Sequence, residues 1–394
     1  MKKLLWITAL ACLCACSNEI DQEFGQTGRT SMNQSPESHK IDKSEAIEIA
    51  NLYFSKGKTR TSTVPLMMEY IVDHETTRSG MPGSDTLAYV LNRGADNGFV
   101  MVSSDDRVYP ILAHSQTGTF KYEKGDMVEE FISRIGAYLE ENEDNETHTM
   151  TSEELDACYS GFPALTASWD QGSPWNKYVV REHPGCPAGC VAVATGMVMA
   201  HCKFSLTYHN VNFQLARIIA GLKKSENGSM IAAPATRIVG GDPPRPEVEP
   251  YSYNVAIDYA AQLLYWIGKD VNMSYAPGGS GAAATAGYNL LKKQGYVLGN
   301  PGLANYNMQE AIRFLTTKNL VYMRGSDTAG RGGHAWVADA CTYCVNYFTN
   351  DTTMAELHID WGWGGSNNGY YSGKVFAAGS YKFGSMQQFG IKIQ

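Results

Sequence analysis

With 394 residues the chain is longer than a typical single core supports, and about two domains are expected. Its 43% hydrophobic content is that of a folded protein. A net charge of −8 with dispersed basic residues argues against a nucleic-acid-binding surface.

Met1-Lys2-Lys3 followed by the short apolar run Leu4 to Ala15 has the charged start and apolar core of a secretory signal, too short to cross a bilayer as a mature helix. Export is therefore expected. The run ends in Leu13-Cys14-Ala15-Cys16, which resembles a bacterial lipobox with cleavage before Cys16 and acylation of that thiol. Residues 1–15 are then a lipoprotein signal, and two or more acyl chains on Cys16 anchor the protein to a membrane of the bacterial envelope; the alternative is an ordinary signal peptide whose cysteines belong to its apolar core. Residues 16–39 are polar and read as a flexible tether.

A first domain over 40–145 opens with helical periodicity from Ser44 to Phe54. Strands are expected over Thr86–Leu91 and Gly98–Val102, joined by the turn-rich Gly94 to Gly98, and a closing amphipathic helix over Met127–Leu139. The acidic, polar stretch beyond Glu140 has no apolar face to bury, so 146–166 reads as a linker open to proteolysis. A second domain, 167–394, contains a helix from Cys190 to Ala200, a Gly/Pro-rich loop over 221–250, and helices over Asp258–Lys269 and Gly281–Gln294. Strands over Leu320–Arg324, His334–Tyr343, Ala355–Trp361 and Phe389–Lys392 would pair as an antiparallel sheet. The fold class is α+β: a helical half and a sheet half meeting at a cleft, preceded by an α+β prodomain.

Nucleophilic catalysis needs a thiolate, a base, a group that orients the base and donors for the oxyanion. Cys190 follows Pro187-Ala188-Gly189 and opens a run of small apolar residues, so its thiol stands at a helix N-terminus, where the partial positive charge favours S⁻. His334 lies 144 residues later, within the span of about 130–150 that papain-like proteases show between Cys and His. Asp360, in Asp360-Trp361-Gly362-Trp363-Gly364-Gly365, is the candidate to orient the imidazole, and Trp361 to wall the cleft. Gln171, in Trp169-Asp170-Gln171, is the candidate oxyanion donor. Each residue alone has a bland reading as core histidine, turn aspartate or sheet packing. Their combination is the signal.

Of nine cysteines, six follow Cys16, and a free Cys190 leaves an odd five. Cys341-x-x-Cys344 has no second ligand pair at metal-site spacing, and the chemistry requires no metal or organic cofactor.

Trp169-Asp170-Gln171, Ala188 to Ala194, Gly333-His334-Ala335-Trp336-Val337 and the Trp-Gly-Trp-Gly-Gly run together resemble the streptopain family of bacterial cysteine peptidases, a papain-like clan. Tyr89 to Leu112 resembles the inhibitor-like propeptide of that family. The resemblance implies a zymogen whose own propeptide inhibits it, protein or peptide substrates, Cys190 as nucleophile, His334 as base and Gln171 at the oxyanion hole. The best-known member has Asn where this chain has Asp360. The expected function is a secreted, lipid-anchored cysteine endopeptidase whose active form is released by proteolysis. The alternatives are a thiol acyltransferase or amidase on the same scaffold, and a non-catalytic surface lipoprotein.

Overall fold

A computed structural model describes residues 39–55, 66–73, 86–122, 129–145, 157–161, 163, 165, 167–222, 248–283, 285–299, 302–326, 333–345, 352–378 and 386–393. The expected signal, Cys16, the tether and most of the Gly/Pro-rich loop lie outside the described residues.

Among the described residues, the first domain is two helices on a four-stranded antiparallel sheet. Helix α1 (Lys43–Ser55) starts at Asp42, whose carboxylate accepts from the N–H groups of Ser44 and Glu45 while the Glu45 side chain accepts from the Asp42 N–H. That reciprocal pairing is a capping box, its cap two residues ahead of the Ser44 start read from the sequence. Strands β1 (Leu66–Asp73), β2 (Thr86–Arg93), β3 (Phe99–Ser103) and β4 (Ile111–Ser115) pair in sequence order. The β2–β3 turn needs three residues at positive φ, Gly94, Asp96 and Gly98, which accounts for its composition. Side chains alternate across these strands: Tyr89, Leu91, Val100 and Val102 meet Ala46, Ala50 and Phe54 of α1. Ala88, Val90, Phe99 and Met101 face the other way, toward Phe131 and Ile135 of helix α2 (Glu129–Glu141). With both faces buried, the strands read as nearly continuous apolar runs.

In the second domain, residues 157–160, within the expected linker, form strand β5. The helical half comprises α3 (Val179–Glu182), α4 (Cys190–Cys202), α5 (Leu215–Leu222), α6 (Tyr253–Asp270) and α7 (Ala286–Lys293), with a hairpin of β6 (Leu206–Tyr208) and β7 (Val211–Phe213). Helix α4 is buried along its whole length, which explains its unbroken apolar composition. Its small residues let neighbours in close: a Cβ on Gly196 would stand 2.7 Å from Leu264 of α6. The sheet half follows, with β8 (Ala304–Asn305), α8 (Met308–Thr316), β9 (Leu320–Ser326), β10 (Gly333–Val345), β11 (Thr352–Asp360), β12 (Gly369–Ser372), α9 (Gly373–Ala377) and β13 (Met386–Ile391).

The two domains share one sheet, in the order β1-β2-β3-β4-β12-β11-β10-β9-β13-β8, with β5 also on β10. The join is β4 against β12, His114 opposite Tyr370 and Ala113 opposite Tyr371. Arg134 of α2 is fully buried and donates to the carbonyls of Phe376 (3.3 Å) and Ala378 (2.9 Å) at the end of α9. His114 Nε2 donates to the Glu356 carboxylate at 3.2 Å, and its Nδ1 is bonded to the Tyr53 hydroxyl at 2.7 Å.

Candidate active site

Cys190 is the first residue of α4. Gly189 before it has φ 91°, and a Cβ there would stand 2.7 Å from the Met273 side chain and 3.0 Å from the Ser280 carbonyl, so only glycine fits. The Ala188 N–H donates to the Gln171 carbonyl at 2.8 Å, bringing the Gln171 segment beside the nucleophile turn. Across the cleft, Cys190 Sγ lies 4.0 Å from the Gly333 carbonyl and within reach of the Ala335 N–H, on both sides of His334.

The Trp361–Gly365 turn stitches the segments together through its glycines. Gly362, Gly364 and Gly365 have φ of 77°, 61° and 88°. Added Cβ atoms would stand 2.7 Å from Val193 of α4, 2.8 Å from the Asp170 carboxylate and 2.9 Å from the Ser168 hydroxyl. The Gly364 N–H donates to the Trp169 carbonyl at 2.7 Å. Trp169 and Trp361 are both buried, while Trp363 is 42% exposed. The structure therefore gathers Gln171, Cys190, His334 and Trp361 at the junction of the two halves.

Within that junction the imidazole does not meet the thiol: among the described residues, no hydrogen bond joins Cys190 to His334. His334 Nε2 lies 3.2 Å from the Trp361 carbonyl, and the ring stacks at 5.5 Å on Trp336. Burial pushes its pKa down to about 3, the Trp361 carbonyl opposing this, so His334 is a neutral imidazole here. Burial also raises the Cys190 thiol, outweighing the pull of the Ala335, Val191 and Cys190 N–H groups. A neutral thiol and a neutral, displaced imidazole are the electrostatics of a latent site.

Asp360 is not on the imidazole either. Its Oδ1 accepts from the Gly362 N–H at 2.9 Å, and Asn368 Oδ1 accepts from the Trp361 N–H at 3.1 Å. Burial holds the carboxyl up at about 7, with the Gly362 N–H pulling down and the Asp339 charge pushing up. Asn368 and Asp339 were not singled out from the sequence. An Asn in a turn and an Asp in a strand carry no local sign of such contacts.

Among the described residues no group of His, Cys, Asp and Glu is arranged to hold a metal, and no helix is long and apolar enough to cross a membrane. Cys186, Cys190, Cys202 and Cys341 are not disulfide-bonded, and Cys344 is.

A helical half carrying a thiol at a helix N-terminus, set against a sheet half carrying an imidazole and joined through β4 and β12 to a preceding domain, defines a papain-like cysteine endopeptidase in zymogen form. Residues 169–371 match the Peptidase C10 family and residues 38–154 match the Spi protease inhibitor family, so the chain belongs to the Peptidase C10 family and carries an inhibitor-like propeptide. Streptopain of Streptococcus pyogenes serotype M28 is 24% identical over 317 residues, 74% of each chain. The thiol protease/hemagglutinin PrtT of Porphyromonas gingivalis is 25% identical over 383 residues, covering 88% of this chain and 40% of that protein. A mutant fragment of prointerpain A from Prevotella intermedia shares the fold, with TM-score 0.52 and 18% identity over 78% of this chain and 96% of that one.

Proposed function

We propose that Cys190 is the nucleophile, His334 the general base and acid, and Gln171 with the Cys190 N–H the oxyanion hole of an endopeptidase that becomes active when the first domain, 40–145, is cut away. The observation that carries this reading is the Cys190 sulphur, seated at the start of α4 and against the strand backbone on both sides of His334. Activation swings the imidazole from the Trp361 carbonyl onto the thiol. The thiolate–imidazolium pair then forms, and the thiolate attacks the scissile carbonyl. The oxyanion is held by the two donors, and His334 delivers the proton to the leaving amine. Water, deprotonated by His334, releases the acyl-enzyme.

Asp360 acts in this scheme through the turn. By accepting the Gly362 N–H it fixes the Trp361 carbonyl, the acceptor that parks His334 in the latent form. Trp361 walls the cleft. Substrates are proteins or peptides, and no cofactor takes part. The signal-like start and Leu13-Cys14-Ala15-Cys16 support export with an acylated Cys16, from which the cut that removes the prodomain also frees the active domain.

The test is to trap the processed protein with a thiol-directed epoxide, map the adduct and assay casein cleavage. Modification confined to Cys190 with loss of cleavage is expected. Cleavage that survives Cys190→Ala overturns the assignment, and transfer of the acyl group to an added amine in place of hydrolysis favours an acyltransferase. Metabolic labelling with palmitate tests the anchor, which fails if Cys16→Ser leaves the label unchanged.

A further inference from the structure

One buried carboxylate, Asp339, lies where three segments bearing the proposed site converge. It stands on β10, five residues after His334, and its side chain is fully buried. Oδ1 accepts from His358 Nδ1 at 2.6 Å, and Oδ2 accepts from the Leu165 backbone N–H at 2.6 Å. His358 is on β11, two residues before Asp360. Leu165 is four residues before Trp169 and six before Gln171. A single side chain thus ties the strand of the base, the strand that ends in the Asp360 turn, and the lead-in to the oxyanion donor.

The lead-in is itself part of the catalytic sheet. β5 pairs with β10 from Ala157 opposite Val345 to Ser160 opposite Thr342. The Gly161 N–H continues the ladder to the Cys341 carbonyl at 2.8 Å, and the Tyr370 hydroxyl donates to the Gly161 carbonyl at 2.7 Å. These partners all belong to the second domain and none to the first. A carboxylate sealed from water is costly to keep, and an apolar side chain would fill the same space at lower cost. Here both oxygens are used, and what they hold is backbone and histidine that lead directly to the site. Burial, and after it the Asp339 charge, hold the Asp360 carboxyl up at about 7.

We infer that Asp339 is a positioning residue of this peptidase: it pins Leu165 to β10 beside β5, thereby sets Gln171 against Cys190, and keeps β5 and Leu165 with the catalytic unit when the prodomain leaves. This rests on the assignment of Cys190, His334 and Gln171 above. The mature enzyme accordingly begins at or before Ala157, with β5 part of the catalytic sheet rather than cleavable linker.

Two measurements on the full-length chain after processing test this. N-terminal sequencing and intact mass are expected to place the mature start at or before Ala157; a fully active form that starts after Leu165 overturns the inference. Kinetics per epoxide-titrated Cys190 are then compared for Asp339→Ala and Asp339→Asn. In Asp339→Ala, kcat per titrated thiol should fall about tenfold to a hundredfold, as misplacement of an oxyanion donor does, with KM changed by less than about threefold. Asp339→Asn should recover most of it, since its oxygen can accept from Leu165 and its NH₂ can donate to the other tautomer of His358. Wild-type kcat per titrated thiol in Asp339→Ala, with loss only of yield or Tm, overturns the inference and leaves Cys190 assigned. If Asp339→Ala does not accumulate, Tyr370→Phe is read instead: a loss of about two- to fivefold in kcat is expected from removing the bond to Gly161, and an unchanged kcat overturns it.

Discussion

The core around Cys190 is drawn, among the described residues, from Leu165 onward, with Val193, Met197, Leu264 and Ile267 its centre. The core around Trp336 and Trp361 is shared: Tyr371, Phe376 and Leu357 of the second domain pack with Phe99, Met101, Phe120, Phe131 and Ile135 of the first. Cys190 therefore stands in a half whose described core is complete without the prodomain, and His334 borders a half whose core the prodomain finishes. Withdrawing the prodomain removes packing from the core of Trp361, whose carbonyl His334 contacts, and none from the described core around α4.

The largest expected effect separates the two halves by chemistry and stability together. Cys190→Ala and His334→Ala should each lower casein cleavage by at least about 10³-fold. Only the second should also shift the thermal stability of the zymogen, measured by calorimetry; an equal shift in both would break the comparison. Next comes Arg134→Met. It leaves the Phe376 and Ala378 carbonyls without their charged donor, and bonds of that kind are worth about 1.5–3 kcal/mol. Prodomain docking should weaken by about tenfold to a hundredfold, seen as faster processing and faster epoxide labelling of Cys190. Gly196→Ala, which crowds Leu264 on the helical side, should destabilise without affecting latency.

Gly362→Ala acts at the seam between the halves. Its positive φ and the approach of Val193 put the cost at about 1–3 kcal/mol, readable as a lower Tm with a lower kcat. The smallest effect is in pH. His334 has its pKa lowered from 6.5 to about 3, so the unfolded chain binds its proton first and the zymogen loses stability as pH falls through that window. Asp360 has its pKa raised from 3.8 to about 7, so the folded chain binds the proton first and stability falls as pH rises through that window. Between about pH 4 and 6.5 the two oppose each other. His334→Gln should therefore tilt the zymogen's Tm profile toward greater acid stability, and Asp360→Asn toward greater stability above pH 4; tilts in the same direction would refute the assigned charge states.

Local pattern sufficed where a segment buries its own regular face. The small apolar run after Cys190, the β2–β3 pair with its glycine turn, and the four long strands of the sheet half were all legible. β5 was not: four residues inside a polar stretch gain their order from β10, far along the chain. α8 was missed although Asn307 caps it and Glu310 is its third residue, because its Met-Gln-Glu opening hides the apolar face of Ala311, Ile312, Phe314 and Leu315. At the site, residue types and order pointed to Gln171, Cys190, His334 and Trp361, and the structure gathers them. The contact of His334 with the Trp361 carbonyl, and the Gly362 and Asn368 partners of the Asp360 turn, join residues brought together by the tertiary fold. No local spacing encodes that.

The β4–β12 join has a further consequence for the freed enzyme. Only two residue pairs span it, and β12 has four residues. When the prodomain departs, the new sheet edge is therefore a stub rather than a long, flat template of the kind that recruits foreign strands. A zymogen that borrows a neighbour's sheet through so short a seam can shed that neighbour without becoming sticky along its backbone. The hazard it inherits is instead aromatic, in the ring surfaces of Tyr371 and Phe376 that Phe131 had covered.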